Sequence, residues 1–306
     1  MRHTVTVVGA VNVDIGGKPS GPLKQRDSNP GTVSISPGGV GRNIAHNLAL
    51  LGNHVRLITA LGEDPYAARL VEDCERHGID ISQSFRFADA QTSTYLFIVR
   101  DDGDMELAIS DMQIYERMLI DDLSQKLPVI RDSDLLILDT NIPEEAIRFL
   151  TEHVELPIFA EPVSMTKAEK LKGVLPRLTL VTPNYLEAGV LGDCTVFSGD
   201  LTTMRAAADR ILAQGTQHVV ITAGSEGAYI KNREMEALFP PIPGRMVNGN
   251  GCGDALMAGL ATAFLEGYDP AESLRIGMAA ATCTLETEKT NNDEMTWEMI
   301  KTRASV

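Results

Sequence analysis

The second half of this chain repeats one unit: a short apolar strand ending on a polar residue, then a helix. Leu135-Leu-Ile-Leu138 stops at Asp139, and Pro157-Ile-Phe-Ala160 stops at Glu161. Leu178-Thr-Leu-Val181 runs into Thr182-Pro-Asn-Tyr-Leu-Glu187, and Val219-Val-Ile-Thr222 into Ala223-Gly-Ser-Glu-Gly227. Strands this apolar, separated by helices, belong in a parallel sheet covered on both faces. Val5-Thr-Val-Val8, ending at Gly9, and Val55-Arg-Leu-Ile-Thr-Ala-Leu61 read as further strands of it. In such sheets ligands bind beyond the carboxyl ends of the strands, so the polar residues there are the first candidates for chemistry.

Two stretches interrupt the series. Residues 15–36 are rich in Gly, Pro and Ser, and are too long for a plain connection. Within them Thr32-Val-Ser-Ile-Ser36 alternates as a half-exposed strand. Farther on, Thr92 to Val99, a turn at Asp101-Asp-Gly103 and Glu106 to Ile109 form a hairpin pattern. Strands inserted into a strand–helix series predict a second, smaller sheet. The expected fold is therefore α/β, a mostly parallel central sheet with helices on both faces plus a small β-sheet lid. The 306 residues show no linker, and 43% hydrophobic content suffices for one core. We read a single domain over 1–306, its lid supplied by insertions at about 14–36 and 90–112.

Charge and cysteine usage exclude several classes. A net charge of −15 argues against nucleic acid as a partner, since that affinity rests on Lys and Arg neutralising phosphates. The four cysteines form no Cys-x-x-Cys pair, so neither a zinc ribbon nor a disulfide framework is expected. No run approaches the roughly 18 apolar residues of a membrane span, and the start lacks a signal-peptide layout. The expectation is a cytoplasmic protein without a membrane partner.

The densest chemical signal is Val247-Asn-Gly-Asn-Gly-Cys-Gly-Asp254, followed by an apolar run at helical spacing. Glycines at alternating positions let a ligand approach the main chain. A helix that starts here offers free N–H groups and a positive dipole end to an anion. Beside a bound phosphate a carboxylate repels, unless its task is to deprotonate a hydroxyl that attacks the phosphorus. Asp254 is thus a candidate base, with the Gly251, Cys252 and Gly253 amides as anion hole. The alternative is that Asp254 is merely the helix N-cap. An Asp with an ordinary pKa near about 3.9 would be ionised at neutral pH. Cys252 itself can be read as a nucleophile, although no His lies near it in sequence.

Gly251-Cys-Gly-Asp254 resembles the Gly-Ala-Gly-Asp signature of the ribokinase-like (PfkB) sugar and nucleoside kinases. Pro37-Gly-Gly-Val-Gly-Arg-Asn43 resembles that family's second motif, in the right order and far away in the chain. The stretch from Asp27 to Gly31 running into Gly39-Val-Gly-Arg-Asn43 looks like the pseudouridine kinases within the family, as does Asp111-Met112. The resemblance implies transfer of the γ-phosphate of ATP, with Mg²⁺, to the 5′-hydroxyl of pseudouridine. A kinase of another nucleoside or sugar, or a sugar-sensing protein on the same scaffold, are the alternatives.

By resemblance, Asp14, with Asn12, grips sugar hydroxyls, although Asp14 alone also fits a solvated turn. Gly38, Gly39 and Asn43 meet the sugar, while Ser28, Asn29 and Asp111 lie near the substrate. Asn184-Tyr-Leu-Glu187 matches the family's Asn-x-x-Glu element, which places Asn184 at the nucleotide and Glu187 on Mg²⁺, through water. The same spacing equally fits a capping box. Thr222, Gly224, Gly227 and Asn292 fall where the nucleotide is held. Asn248 and Gly249 replace the family's usual Asp-Thr, so a monovalent cation is left open, and Glu161 stands where Asp is usual. A homodimer pairing through the lid is expected, because open sheet edges invite a partner.

Overall fold

The computed structural model describes residues 3–100 and 105–306. The expected turn at Asp101-Asp-Gly103 lies outside them. Along the central sheet, in spatial order, lie β15 (Glu236–Phe239), β14 (Ala228–Lys231), β13 (His218–Thr222), β12 (Leu180–Val181), β11 (Ile158–Glu161), β10 (Leu135–Asp139), β1 (Thr4–Val8), β4 (His54–Ile58) and β6 (Ile79–Asp80). From β6 to β13 each neighbouring pair is parallel. β14 and β15 close the far edge as an antiparallel hairpin. Two short strands, β5 (Ala60–Gly62) and β7 (Phe85–Phe87), pair separately. The run read as one strand from Val55 to Leu61 is thus two, β4 and β5, broken at Thr59.

The longer helices are α1 (Val40–Leu50), α2 (Pro65–Arg76), α5 (Glu144–His153), α8 (Leu201–Ala213), α9 (Cys252–Leu265) and α10 (Pro270–Leu285). Shorter ones are α3 (Ile120–Ser124), α4 (Leu127–Arg131), α6 (Met165–Ala168), α7 (Tyr185–Leu191) and α11 (Trp297–Ala304). Strand side chains alternate between faces, so each central strand feeds two cores. Val5, Val7, Leu57, Leu135 and Ile137 pack with Ile44 and Leu48 of α1, Leu256 of α9 and Ile276 of α10. Val8, Ile58, Leu136 and Leu138 pack on the other face with Ile147 of α5, Leu191 of α7 and Ile211 of α8. Helices α9 and α10 press together at Gly259, where an added Cβ would lie 2.8 Å from the Gly277 Cα.

The second sheet runs β3 (Gly31–Gly38), β2 (Asn12–Pro19), β8 (Thr94–Val99), β9 (Met105–Asp111). Its register puts Asp14, Ser36, Tyr95 and Ser110 on one face. Ile15, Ile35, Leu96 and Ile109 line the other. β1 stops at Val8, as the apolar run ending at Gly9 predicts, and Asn12 opens β2, so Asn12 and Asp14 stand on the small sheet.

Candidate active site

Gly251 caps α9 in the left-handed conformation, with φ 79°, and no side chain bonds that helix end. A Cβ at Gly251 would also collide with the Thr290 carbonyl, so glycine is required twice over. Gly253 differs: nothing lies within 4 Å of where its Cβ would stand. The first amides of α9 have no partner inside the helix. Asp254 sits in the first turn rather than at the cap, so the reading of it as an N-cap falls. Its carboxylate Oδ2 accepts a hydrogen bond from Asn43 Nδ2 at 2.9 Å, which joins α9 to the first turn of α1.

Burial dominates the electrostatics of Asp254. The residue is 8% exposed. Desolvation pushes its pKa up to about 7; the Asn43 hydrogen bond opposes this, and the Asp139 and Asp14 charges add to it. The expectation of an ordinary, fully ionised carboxylate at neutral pH is therefore corrected: near pH 7 both protonation states are populated in the ligand-free protein. Asp14 shows the same effect more weakly, raised to about 6 by burial against a hydrogen bond from Asn12. Across β2, a Cβ at Gly38 would run into the Asp14 carboxylate, and one at Gly39 into the Ala10 carbonyl. The two glycines thus let β3 and α1 close over this corner.

Residues the sequence reading passed over hold the floor rigid. Arg42 donates from Nε to Asp73 Oδ2 at 3.0 Å and from Nη1 to Asn291 Oδ1 at 2.6 Å. Asn291 donates in turn to the Asn43 carbonyl at 3.1 Å. Arg42 was in plain view, inside the glycine motif beside Asn43. Asn291 was not distinguishable from its neighbour. Asn292, the one predicted, instead turns to the Cys283 carbonyl at 2.8 Å and caps the Glu294 amide. Asp139, wholly buried, accepts from the Ala10 amide at 2.7 Å and the Asn141 amide at 2.8 Å. Those bonds fix the turn from β1 into β2, and hence the approach of Asn12 and Asp14.

A second group of carboxylates stands at the ends of β11 and α7. Glu161 Oε2 accepts from Thr182 Oγ1 at 2.6 Å. Burial holds its pKa well above the ordinary carboxylate range, and the charges of Glu187 and Asp254 push the same way. Glu187 is raised too, chiefly by burial. Asn184 and Glu187 form a full capping box: Asn184 Oδ1 accepts from the Glu187 amide at 3.0 Å, and Glu187 Oε2 from the Asn184 amide at 2.9 Å. Asn184 also bridges to Thr222, which brings the α7 N-terminus beside the end of β13. Gly224 and Gly227 follow at positive φ, 56° and 98°. A Cβ at Gly227 would strike the Phe239 carbonyl, whereas Gly224 faces free space.

Other predicted residues lie apart from this arrangement. Asn29 spends its side chain on its own loop, accepting from the Lys24 amide at 2.8 Å and donating to the Lys24 carbonyl at 2.9 Å. Ser28 beside it is exposed, as is Asp111 at the end of β9. Cys252 is half-buried and its thiol is pushed up to about 11, mainly by burial, so it is a poor nucleophile. A cavity of about 250 Å³ between β3 and α2, lined by Val13, Ile35, Pro37, Arg69 and Asp73 among others, contains none of the anion-hole residues. No helix among the described residues is long and apolar enough to cross a membrane.

Comparison with known proteins identifies the family and the fold. Residues 2–297 match the model described as pfkB family carbohydrate kinase. Pseudouridine kinase of Escherichia coli (strain K12) is 34% identical over 296 residues, covering 96% of this chain and 94% of that protein. An uncharacterized sugar kinase of the same organism is 35% identical over 289 residues, covering 94% and 79%. The structure of Arabidopsis thaliana ribokinase complexed with ribose and ATP matches with a TM-score of 0.87 and 21% identity, covering 100% of each chain. The fold is ribokinase-like.

Proposed function

This chain belongs to the pfkB family of carbohydrate kinases and is a phosphotransferase acting on a hydroxyl group; we propose that it transfers the γ-phosphate of ATP to the 5′-hydroxyl of pseudouridine. The observation that carries the choice of acceptor is the 34% identity to a pseudouridine kinase along nearly the whole chain. The site supports the reaction type independently, through an acid able to ionise near neutral pH on the same turn as free helix amides.

In this reading Asp254 takes the proton of the acceptor hydroxyl while its oxygen bonds to the γ-phosphorus. The bond from the γ-phosphorus to its bridging oxygen breaks, with the electron pair left on that oxygen of the departing ADP. Asn43 occupies Oδ2 of Asp254, which leaves Oδ1 for the hydroxyl. The Gly251, Cys252 and Gly253 amides hold the charge that develops on the transferring group. Asp14, Asn12, Gly38, Gly39 and Asn43 bind the sugar, with Ser28, Asn29 and Asp111 toward the base. Asn184, Thr222, Gly224 and Gly227 serve the nucleotide, while Asn292, its side chain spent on the Cys283 carbonyl and the Glu294 amide, drops out of that set.

The donor set suits Mg²⁺: hard oxygens of Glu161 and Glu187 whose mutual repulsion a cation would relieve. Bound there, the ion would supply charge neutralisation for the phosphates, with Glu187 holding it through water. The small sheet closes over the acceptor as a lid on a single domain, excluding water that would otherwise take the phosphate. Its outer face exposes Val33, Leu107 and Ile109 by 73%, 52% and 61%, a surface fitted to a second copy of the chain.

The test is ADP release with ATP and Mg²⁺ across pseudouridine, uridine, adenosine, ribose and fructose. The account expects pseudouridine to exceed every other acceptor in kcat/KM by more than about tenfold, about 1.4 kcal/mol of transition-state discrimination. Equal activity on ribose would remove the pseudouridine assignment while leaving the kinase reading intact.

A further inference from the structure

Next to the Arg42 contacts, three side chains from separate segments meet. His46 projects from α1, His77 terminates α2, and Asp293 follows α10. His46 is 1% exposed, yet neither of its ring nitrogens makes a hydrogen bond. A buried imidazole without partners is costly, and such a group asks for a ligand. Its Nε2 faces Asp293 Oδ1 at 3.5 Å, and the His77 ring lies 3.8 Å away, centroid to centroid. His77 Nε2 stands 3.9 Å from the same Asp293 oxygen.

The second ring is already oriented for ligation. His77 Nδ1 lies 2.8 Å from the Asp73 carbonyl, an oxygen that can only accept. In the neutral ring the proton sits on Nδ1, which turns the Nε2 lone pair toward Asp293 and His46. A backbone carbonyl holding the far nitrogen is how metal-binding histidines are commonly fixed. Two cations stand close by, and each has a carboxylate: Arg42 is paired with Asp73, and Lys289 with Asp293 Oδ2 at 2.6 Å.

We propose that His46, His77 and Asp293 form a binding site for a zinc-class divalent transition metal, which ties together α1, the end of α2 and the segment after α10. One ligand atom from each lies within 4.8 Å of the others. Tetrahedral zinc with bonds of about 2.0–2.2 Å would draw them to about 3.4 Å apart. The contraction falls on His77 and Asp293, whose side chains are 21% and 42% exposed and so have room to rotate. Two imidazoles and one carboxylate favour zinc, cobalt or nickel over magnesium or calcium, which prefer all-oxygen sets. Water from the exposed side would complete the fourth position. The three segments joined are those that also carry the Arg42, Asp73 and Asn291 contacts, so the ion would act as a clamp behind the floor rather than in the reaction.

The experiment uses the full-length protein, stripped with chelator and free of nucleotide. Zn²⁺ is titrated against a chromophoric chelator, and Co²⁺ is added separately to read its visible absorption. The wild type is expected to take up one Zn²⁺, to show the intense cobalt bands of four-coordination, and to gain thermal stability with zinc. His77→Gln and Asp293→Asn, both at partly exposed positions, are each expected to weaken Zn²⁺ at least about tenfold and to abolish the stability gain. No stoichiometric uptake by the wild type would overturn the proposal. So would equal uptake by the wild type and either variant, which would place the ion elsewhere, for example among the carboxylates of the active site.

Discussion

The two sheets obey the same pairing rules but meet solvent in opposite ways. All five residues of β10 are buried, whereas six of the seven residues of β9 are exposed. At the ends of the central strands, Asp139 and Glu161 are desolvated and hydrogen-bonded by fixed neighbours, before any ligand arrives. In the loop from β2 to β3, Asn29 is occupied by its own segment and Ser28 faces solvent, as does Asp111 at the end of β9. The central sheet and the buried start of β2, with Asn12 and Asp14, therefore supply a preorganised floor, and in our account the outer part of the small sheet contributes only when a substrate or a second copy covers it.

The largest expected effect breaks the floor. Gly251→Ala would force a left-handed residue with a Cβ into the Thr290 carbonyl. We expect a loss of about 10²–10³ in kcat, the cost of a misplaced anion-hole donor, measured in steady-state assays. Wild-type turnover in that variant would show that the α9 amides do not act on the transferring group.

Next comes the junction between the sheets. Asp14→Ala removes a charged hydrogen-bonding group, worth about 1.5–3 kcal/mol, so kcat/KM for the acceptor should fall about 10- to 100-fold. The KM for ATP should stay unchanged, and an equal rise for both substrates would contradict the assignment of Asp14 to the sugar.

A smaller effect is expected on the lid's outer face. Leu107→Lys in the middle of the apolar surface should convert a dimer to a monomer in sedimentation equilibrium, with stability within about 0.5 kcal/mol of wild type. An unchanged sedimentation profile would show that this face is not the interface.

Finally, the floor's desolvation should be visible in stability. With a folded pKa of about 7 against an ordinary 3.8, Asp254 costs nothing at low pH, where it is protonated folded and unfolded alike. The cost accumulates as pH rises from about 4 to about 7 and is constant above, reaching at most about 4 kcal/mol. Asp254→Asn should therefore gain stability over wild type across that window in denaturant titrations. A pH-independent difference would mean that Asp254 is not desolvated.

Much of the floor was legible in the sequence because its signals are local. The β-branched runs name the central strands, and the helix from Val40 and that following Gly251 begin at glycines whose geometry the structure explains. The boundary between the sheets was less legible. Nothing in Asn12-Val-Asp14 says that it starts a lid strand rather than ending a core strand, since that depends on pairing with Gly38 and Thr94. Asn291 and Asn292 are indistinguishable locally, and only the docking of the segment after α10 against α1 decides which faces Arg42. The pKa of Asp254 was out of reach for the same reason. Burial is a property of the assembled fold, and an isolated Asp gives no hint of it.

The account stands or falls on Asp254 as the base, and the most direct measurement is kcat/KM against pH for the wild type and Asp254→Asn with pseudouridine and Mg²⁺-ATP. In the wild type, kcat/KM should climb as pH rises through about 7 and then level off, with the group at Asp14 titrating lower, near about 6. Asp254→Asn should be slower by at least about 10² in kcat, with modest change in KM, and its residual activity should lack the step near 7. A variant that turns over as fast as wild type, or keeps the same pH profile, would place the base elsewhere.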